Sequence, residues 1–400
     1  MDSALSKVQW NPARLAHFDL AERTWTFLML GGASLILLVV CSCLSIPSVI
    51  LQDNVRMLLQ QAIAITFVFV LLFSYPHFIW SYRFAYQQGL AFILSHGWQL
   101  IVYPMVLVAL LVLCAGSWNL PLTAVPPLLG VDKAFQQIGV NMYWSKYDGC
   151  GQLLFATMLI AQTILSGHHY CMQAFGVALA CGEKSGYRLE IKQKKILLLN
   201  LYALWMMNMF SGYTFFSKLN TGSFAYHPTK FPQALCWASY AAFAGSLIAV
   251  FVAVIVPALR QQKKFPPLLA VVPIVSIWAW LQPFSQPFGF QATIAPIAHG
   301  AQYLHFAYKV EANGFDSRSG KSLRLRAIHL VGFAVVTVLL GYLCFRYIPG
   351  ILDNAKLLGN VAPNFFLLAA FIFISIHHYI VDSVVWKHDS KARKLLREVV

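Results

Sequence analysis

The stretch Asn364-Phe-Phe-Leu-Leu-Ala-Ala-Phe-Ile-Phe-Ile-Ser-Ile-His377-His378-Tyr-Ile-Val-Asp382-Ser-Val-Val-Trp386 decides the class of this chain. It is uninterrupted by Pro or Gly, exceeds the ~20 apolar residues that span a hydrocarbon core, and ends at Lys387. Yet it carries two adjacent imidazoles and a carboxylate, groups that hydrocarbon tolerates only when they are partnered. It reads as a membrane helix that brings ionisable side chains inward.

Working outward, comparable apolar stretches occupy 24–46, 61–83, 99–116, 152–180, 196–215, 235–258, 267–284, 289–308 and 327–347, giving ten with 364–386. The whole chain is 59% hydrophobic and only 11% charged, with mean hydropathy +0.64, whereas about a quarter of a soluble domain is charged. The sequence therefore predicts an all-α fold, a polytopic transmembrane bundle of about ten helices. It divides into an interfacial segment over 1–23, a membrane domain over 24–386 and a basic tail over 387–400. Trp10, Leu15, Phe18 and Leu20 give the first segment an amphipathic pattern suited to a membrane surface. No signal peptide is expected, because the first apolar run starts late and lacks a small-residue cleavage site.

The formal charge of +15 does not point to nucleic acid, because the basic residues sit beside the helix ends. Ten crossings with both termini cytoplasmic place 22 of the 29 Lys and Arg inside, in accord with the positive-inside rule. That topology predicts a multi-pass protein of the cell membrane, with an external loop near 117–150 and a flexible cytoplasmic loop over 309–326. The eight cysteines are scattered without a CxxC pair, which excludes a zinc ribbon and argues against a disulfide framework.

Seven of the twelve histidines fall in four apolar stretches: His77, His168 with His169, His299 with His305, and His377 with His378. In the alternating topology these stretches are the second, fourth, eighth and tenth, so all four run the same way. Their distances from the next basic residue place the rings between mid-bilayer and the cytoplasmic side at about 1.5 Å per residue. One shared metal centre is expected, with His77, His168, His169, His299, His305, His377, His378 and Asp382 as candidate ligands. Within each His-His pair the two side chains point about 100° apart, so one member can be a ligand and the other a supporting group. Residues a turn further on, Ser81, Gln173, Gln302 and Tyr303, are candidate supports. His17, His96, His227, His329 and His388 read as surface or interface residues.

A nitrogen-rich, thiolate-free donor set suits iron, copper or zinc and not magnesium or calcium. Non-haem iron, mono- or dinuclear, is the expectation, ahead of copper, zinc and bis-histidine haem. The clustered histidines resemble in style the membrane desaturases, hydroxylases and alkane hydroxylases, although their HxxHH boxes are absent. Pro76-His77 and the late His378-Tyr-Ile-Val-Asp382 with its Trp386-Lys387 end resemble the first and last motifs of Brp/Blh-type carotene dioxygenases. That resemblance implies a transmembrane, histidine-ligated non-haem iron oxygenase. The expected function is oxygenation, hydroxylation or desaturation of an apolar lipid or isoprenoid in the bilayer, with an electron donor as partner and no nucleic acid. The alternatives are a bis-histidine haem electron carrier and a proton or metal transporter.

Overall fold

Each of the ten apolar stretches is helical over most of its described residues. The computed structural model describes residues 20–44, 66, 68–215, 219–221, 224–227, 229–261, 266–282, 294–319, 322–359, 361–386 and 394. The helices are α1 (20–44), α2 (70–86), α3 (Leu90–Ser95), α4 (Trp98–Gly116), α5 (Pro126–Gln137) and α6 (Cys150–Lys184). They continue as α7 (Ile191–Phe215), α8 (Gln233–Arg260), α9 (Leu268–Trp280), α10 (Ala295–Ser319), α11 (Leu323–Asn354) and α12 (Phe365–Val385). The fold is all-α, apart from a short antiparallel hairpin of β1 (Leu219–Thr221) and β2 (Phe224–Tyr226) in the α7–α8 connection. Among the described residues six helices, α1, α4, α6, α8, α11 and α12, are long and apolar enough to cross a membrane. The interfacial segment falls outside the described residues except for its last four, and the basic tail except for Lys394.

Proline explains most of the departures from regular helix. Wide, π-type turns precede Pro76, Pro104, Pro257 and Pro349, at Val70–Ser74, Trp98–Val102, Phe251–Ile255 and Leu343–Tyr347. A proline cannot donate to the carbonyl four residues back and its ring crowds that group. Here the residue before each proline bonds five residues back instead, as Tyr75 N–H does to the Val70 carbonyl, and the helix continues. Two of the carbonyls so released find side chains: Leu100 accepts from the Tyr86 hydroxyl at 2.8 Å and Ala253 from the Gln193 amide at 3.1 Å. Such repair is what a medium without water demands of an interrupted helix. A fifth wide turn, Leu28–Gly32 in α1, has no proline and turns on Gly31 at φ 126°.

The direction of the histidine-bearing helices follows from paired contacts. Between α2 and α10 the partners are Ser74 with Pro296, His77 with His299, Ser81 with Tyr303 and Arg83 with Glu311. Both numbers rise together, so α2 and α10 run the same way. Between α6 and α12 the partners Phe155 with Phe365, Ser166 with Tyr379 and His169 with Asp382 also rise together. His77 with His378 and Ser81 with Asp382 join α12 to α2 in the same sense. All four helices are parallel, as alternation of the ten stretches predicts.

Helix α10 is buried on nearly all sides and carries more polar groups than a lipid-facing helix tolerates. It also corrects the expectation of a flexible loop over 309–326, because the helix continues to Ser319. The reason is Glu311, which is 4% exposed and accepts from Arg83 of α2 at 2.8 Å, with the His329 ring of α11 at 2.7 Å. Its carboxylate ties three helices together.

Close approach of α10 to α2 depends on Gly300. A Cβ there would lie 2.5 Å from the Phe73 carbonyl oxygen, inside the backbone of the neighbouring helix, whereas one at Gly176 would meet nothing within 4 Å. Gly300→Ala is expected to cost about 2 kcal/mol, in the range of over-packed interiors, and to part His77 from His299. Gly176→Ala is expected to be neutral. Unfolding in detergent, followed alongside metal content, checks both.

Candidate metal centre

Four imidazoles from four helices form a closed ring. His77 of α2 lies 5.1 Å from His299 of α10 and 4.8 Å from His378 of α12, centroid to centroid. His169 of α6 lies 4.8 Å from His299 and 4.9 Å from His378. None of the four is more than 7% exposed. Nitrogens of His77, His299 and His378 lie within 4.8 Å of one another, and so do donor atoms of His169, His378 and Asp382.

Seven nitrogens of these rings, both in His77, His299 and His378 and Nε2 in His169, are buried without a hydrogen-bond partner. Leaving one buried polar atom unsatisfied costs ~1–3 kcal/mol. Native proteins keep such atoms rare, so the cluster makes the ring a candidate metal site; both nitrogens of His377, outside the ring, are without a partner as well. Asp382 Oδ2 lies 3.6 Å from His169 Nε2 and 3.5 Å from His378 Nε2. The donors thus form two triads that share His378, together four imidazoles and one carboxylate, and a divalent transition ion fits their chemistry.

Four residues further along three of these helices comes a second layer. Ser81, Tyr303 and Asp382 follow His77, His299 and His378 by one turn each. Ser81 Oγ donates to Asp382 Oδ1 at 2.6 Å and lies 2.7 Å from the Tyr303 hydroxyl. These contacts fix the carboxylate rotamer beneath the ring, the role that supporting groups play at metal sites. Gln173 and Gln302 support differently, through backbone. Gln173 donates to the His299 carbonyl at 2.9 Å, and Gln302 to the Leu30 carbonyl at 2.6 Å beside the wide turn of α1.

Three sequence-expected ligands stand elsewhere. His168 is half-buried against Tyr202 and Trp205 of α7, at 5.8 and 5.1 Å. His377 is buried beside Tyr82 and Phe373, at 5.2 and 5.7 Å, turned from the ring by the helical step that brings His378 in. His305 packs on Phe306 six residues beyond His299, toward Lys309. Each pair therefore contributes its second histidine. Asp382 makes no ion pair with Arg83, which Glu311 takes. Of the histidines read as surface residues, His96 is partly buried, His227 sits between Tyr143 and Tyr147, and His329 bonds Glu311. His17 and His388 lie outside the described residues.

Aromatic groups that the sequence reading passed over enclose the ring. Tyr170 packs on His299 at 4.4 Å, Tyr379 stacks on His169 at 4.5 Å, and Phe78 lies 4.1 Å from His77 and 4.6 Å from His378. The signal was present: His168-His169-Tyr170 and His377-His378-Tyr379 are the same tripeptide, used identically, with outer histidine, ring histidine and covering tyrosine. The Tyr379 hydroxyl is held by Ser166 at 2.6 Å. No protein-family model, curated protein or solved structure matches this chain.

Replacing His77, His169, His299 or His378 with Ala is expected to abolish stoichiometric metal, while His168→Ala, His305→Ala, His377→Ala and His227→Ala keep it. Ser81→Ala is expected to retain the fold and weaken metal affinity by ~10-fold, the lower end for a lost support. Metal content after dialysis against a graded chelator reads all of these.

Proposed function

We propose that this chain is an integral membrane oxidoreductase whose four-histidine, one-aspartate centre holds non-haem iron and oxygenates, hydroxylates or desaturates a lipid or isoprenoid substrate. The observation that carries this reading is the closed ring of buried imidazoles with unpartnered nitrogens, joined by a carboxylate. The donors form two triads that share His378, three imidazoles in one and two imidazoles with a carboxylate in the other, and two imidazoles with one carboxylate is the set that non-haem iron takes in oxygenases. A bis-histidine haem is disfavoured by the crowding: any two of the rings facing across an iron would leave the other two in the plane the porphyrin needs.

Iron bound here supplies the redox chemistry with dioxygen that attack on an unactivated carbon requires. The protein's own part is to orient and to exclude water. Phe78, Tyr170, Tyr303 and Tyr379 replace water around the ring with fixed side chains, which protects a reactive site from side reactions. Ser81 and Tyr303 hold the carboxylate in place. The reading keeps a multi-pass topology of ten crossings with both termini cytoplasmic, which rests on the ten apolar stretches and on the Lys and Arg tracts of the sequence; among the described residues six helices are long and apolar enough to cross a membrane.

Protein purified in detergent without chelator is expected to contain iron, to lack a Soret band, and to consume oxygen only when an apolar lipid is supplied. Removal of the iron is expected to abolish that consumption and its return to restore it. Stoichiometric zinc with oxygen-independent turnover would replace the proposal with hydrolysis.

A further inference from the structure

A second polar cluster, outside the metal centre, is built where α1, α6 and α10 meet. On α10, Lys309 follows His305 by one turn, and His305 is only 7% exposed. On α6, Lys184 stands in the last turn. From α1, Glu22 reaches Lys309 at 3.8 Å, close to the limit for an ion pair, and both partners are partly exposed. The His305 ring packs edge to face on Phe306 at 5.5 Å and lies within the field of both lysines, while Lys184 and Lys309 act on each other as like charges. Phe27 and Leu30 of α1, Val177 and Cys181 of α6 and Phe306 of α10 pack in one apolar cluster beside it. That packing fixes the three helices, so that Glu22, Lys184 and Lys309 converge three to five residues from Phe27, Cys181 and Phe306.

Two ammonium groups and an imidazole against one loosely held carboxylate leave an excess of positive charge and of hydrogen-bond donors. Glu183, the acid next to Lys184, is taken by Arg188 at 3.0 Å on the exposed side. An ammonium offers three donors and no acceptor, and a neutral imidazole adds one more. The complement of such a set is an oxyanion with several acceptor oxygens. Where apolar helices end in basic residues, the bilayer itself supplies one, since basic pockets between helices at that level take lipid phosphates.

We propose that this cluster binds the phosphate of an anionic phospholipid, with Lys184, Lys309 and His305 as donors and Glu22 as the competing acceptor. An anion between the two lysines relieves their repulsion and draws together α6 and α10, the helices that carry His169 and His299, so the bound lipid stabilises the bundle. The site is independent of the metal that the ring holds, and its test reads lipid alone. Full-length protein in dodecyl maltoside micelles is titrated with dioleoylphosphatidylglycerol, with dioleoylphosphatidylcholine or with inorganic phosphate. The unfolding midpoint and the lipid retained after washing are measured. Phosphatidylglycerol is expected to raise the midpoint and to be retained, and the other two are expected to do neither. Lys184→Gln combined with Lys309→Gln is expected to weaken retention about thirtyfold, the worth of two basic residues at an anionic lipid surface. Lys192→Gln combined with Lys194→Gln, an equal loss of charge at exposed positions of α7, is expected to leave it unchanged. Glu22→Gln, also at an exposed position, is expected to tighten retention several-fold by removing the competitor. Equal weakening in the two lysine pairs overturns the site in favour of diffuse surface charge. A Glu22→Gln protein that retains no more lipid than the wild type overturns it too, whether or not the first lysine pair folds. Stabilisation by phosphatidylcholine as great as by phosphatidylglycerol overturns the anionic headgroup, and stabilisation by inorganic phosphate overturns the lipid as its source.

Discussion

Imidazole in a medium without water must find a partner, and the ring of His77, His169, His299 and His378 is built on that requirement. Four rings close to 5 Å apart and buried bring nitrogens of His77, His299 and His378 within 4.8 Å of one another. Without a guest this arrangement carries the cost of several unsatisfied polar atoms at once. With an ion at its centre one nitrogen of each ring can become a ligand, and binding free energy joins the folding balance of the bundle. Four helices converge on this one point.

Parallel helices turn a simple interval into a layered site. Because α2, α10 and α12 run the same way, a step of four residues from each histidine lands on Ser81, Tyr303 and Asp382 at a common level. An antiparallel set would place those residues on opposite sides of the rings. Gly300 lets α2 and α10 approach closely enough for the levels to meet, and the wide turn before Pro76 keeps α2 helical just ahead of His77. Glu311 fastens the same two helices two turns further along α10.

Much of this was legible in the residues. Apolar length marked every long helix, and an isolated aspartate in the tenth stretch pointed to a partner because hydrocarbon allows it nothing else. What could not be read was which histidine of each pair faces inward. Adjacent residues differ by a fixed angle, but the phase of the helix against its neighbours is a packing outcome: His168 meets Trp205, and His377 meets Tyr82. The loop expected over 309–326 failed for a similar reason. Charge near the end of an apolar run usually means water, and Arg83 and His329 arriving from other helices keep Glu311 inside. The repeated His-His-Tyr was visible, and comparing its two copies would have assigned the covering tyrosines.

The reading of this protein stands on the ring holding a metal through imidazole and carboxylate. X-ray absorption at the edge of the bound metal examines that directly, because it reports the scattering atoms around the ion. The expected spectrum has a first shell of nitrogen and oxygen at about 2.0–2.2 Å, the range for His and carboxylate ligands at first-row metals, with the outer-shell pattern of several imidazoles, and that pattern disappears in the His378→Ala protein. Sulfur in the first shell, or an unchanged spectrum in that variant, would contradict it.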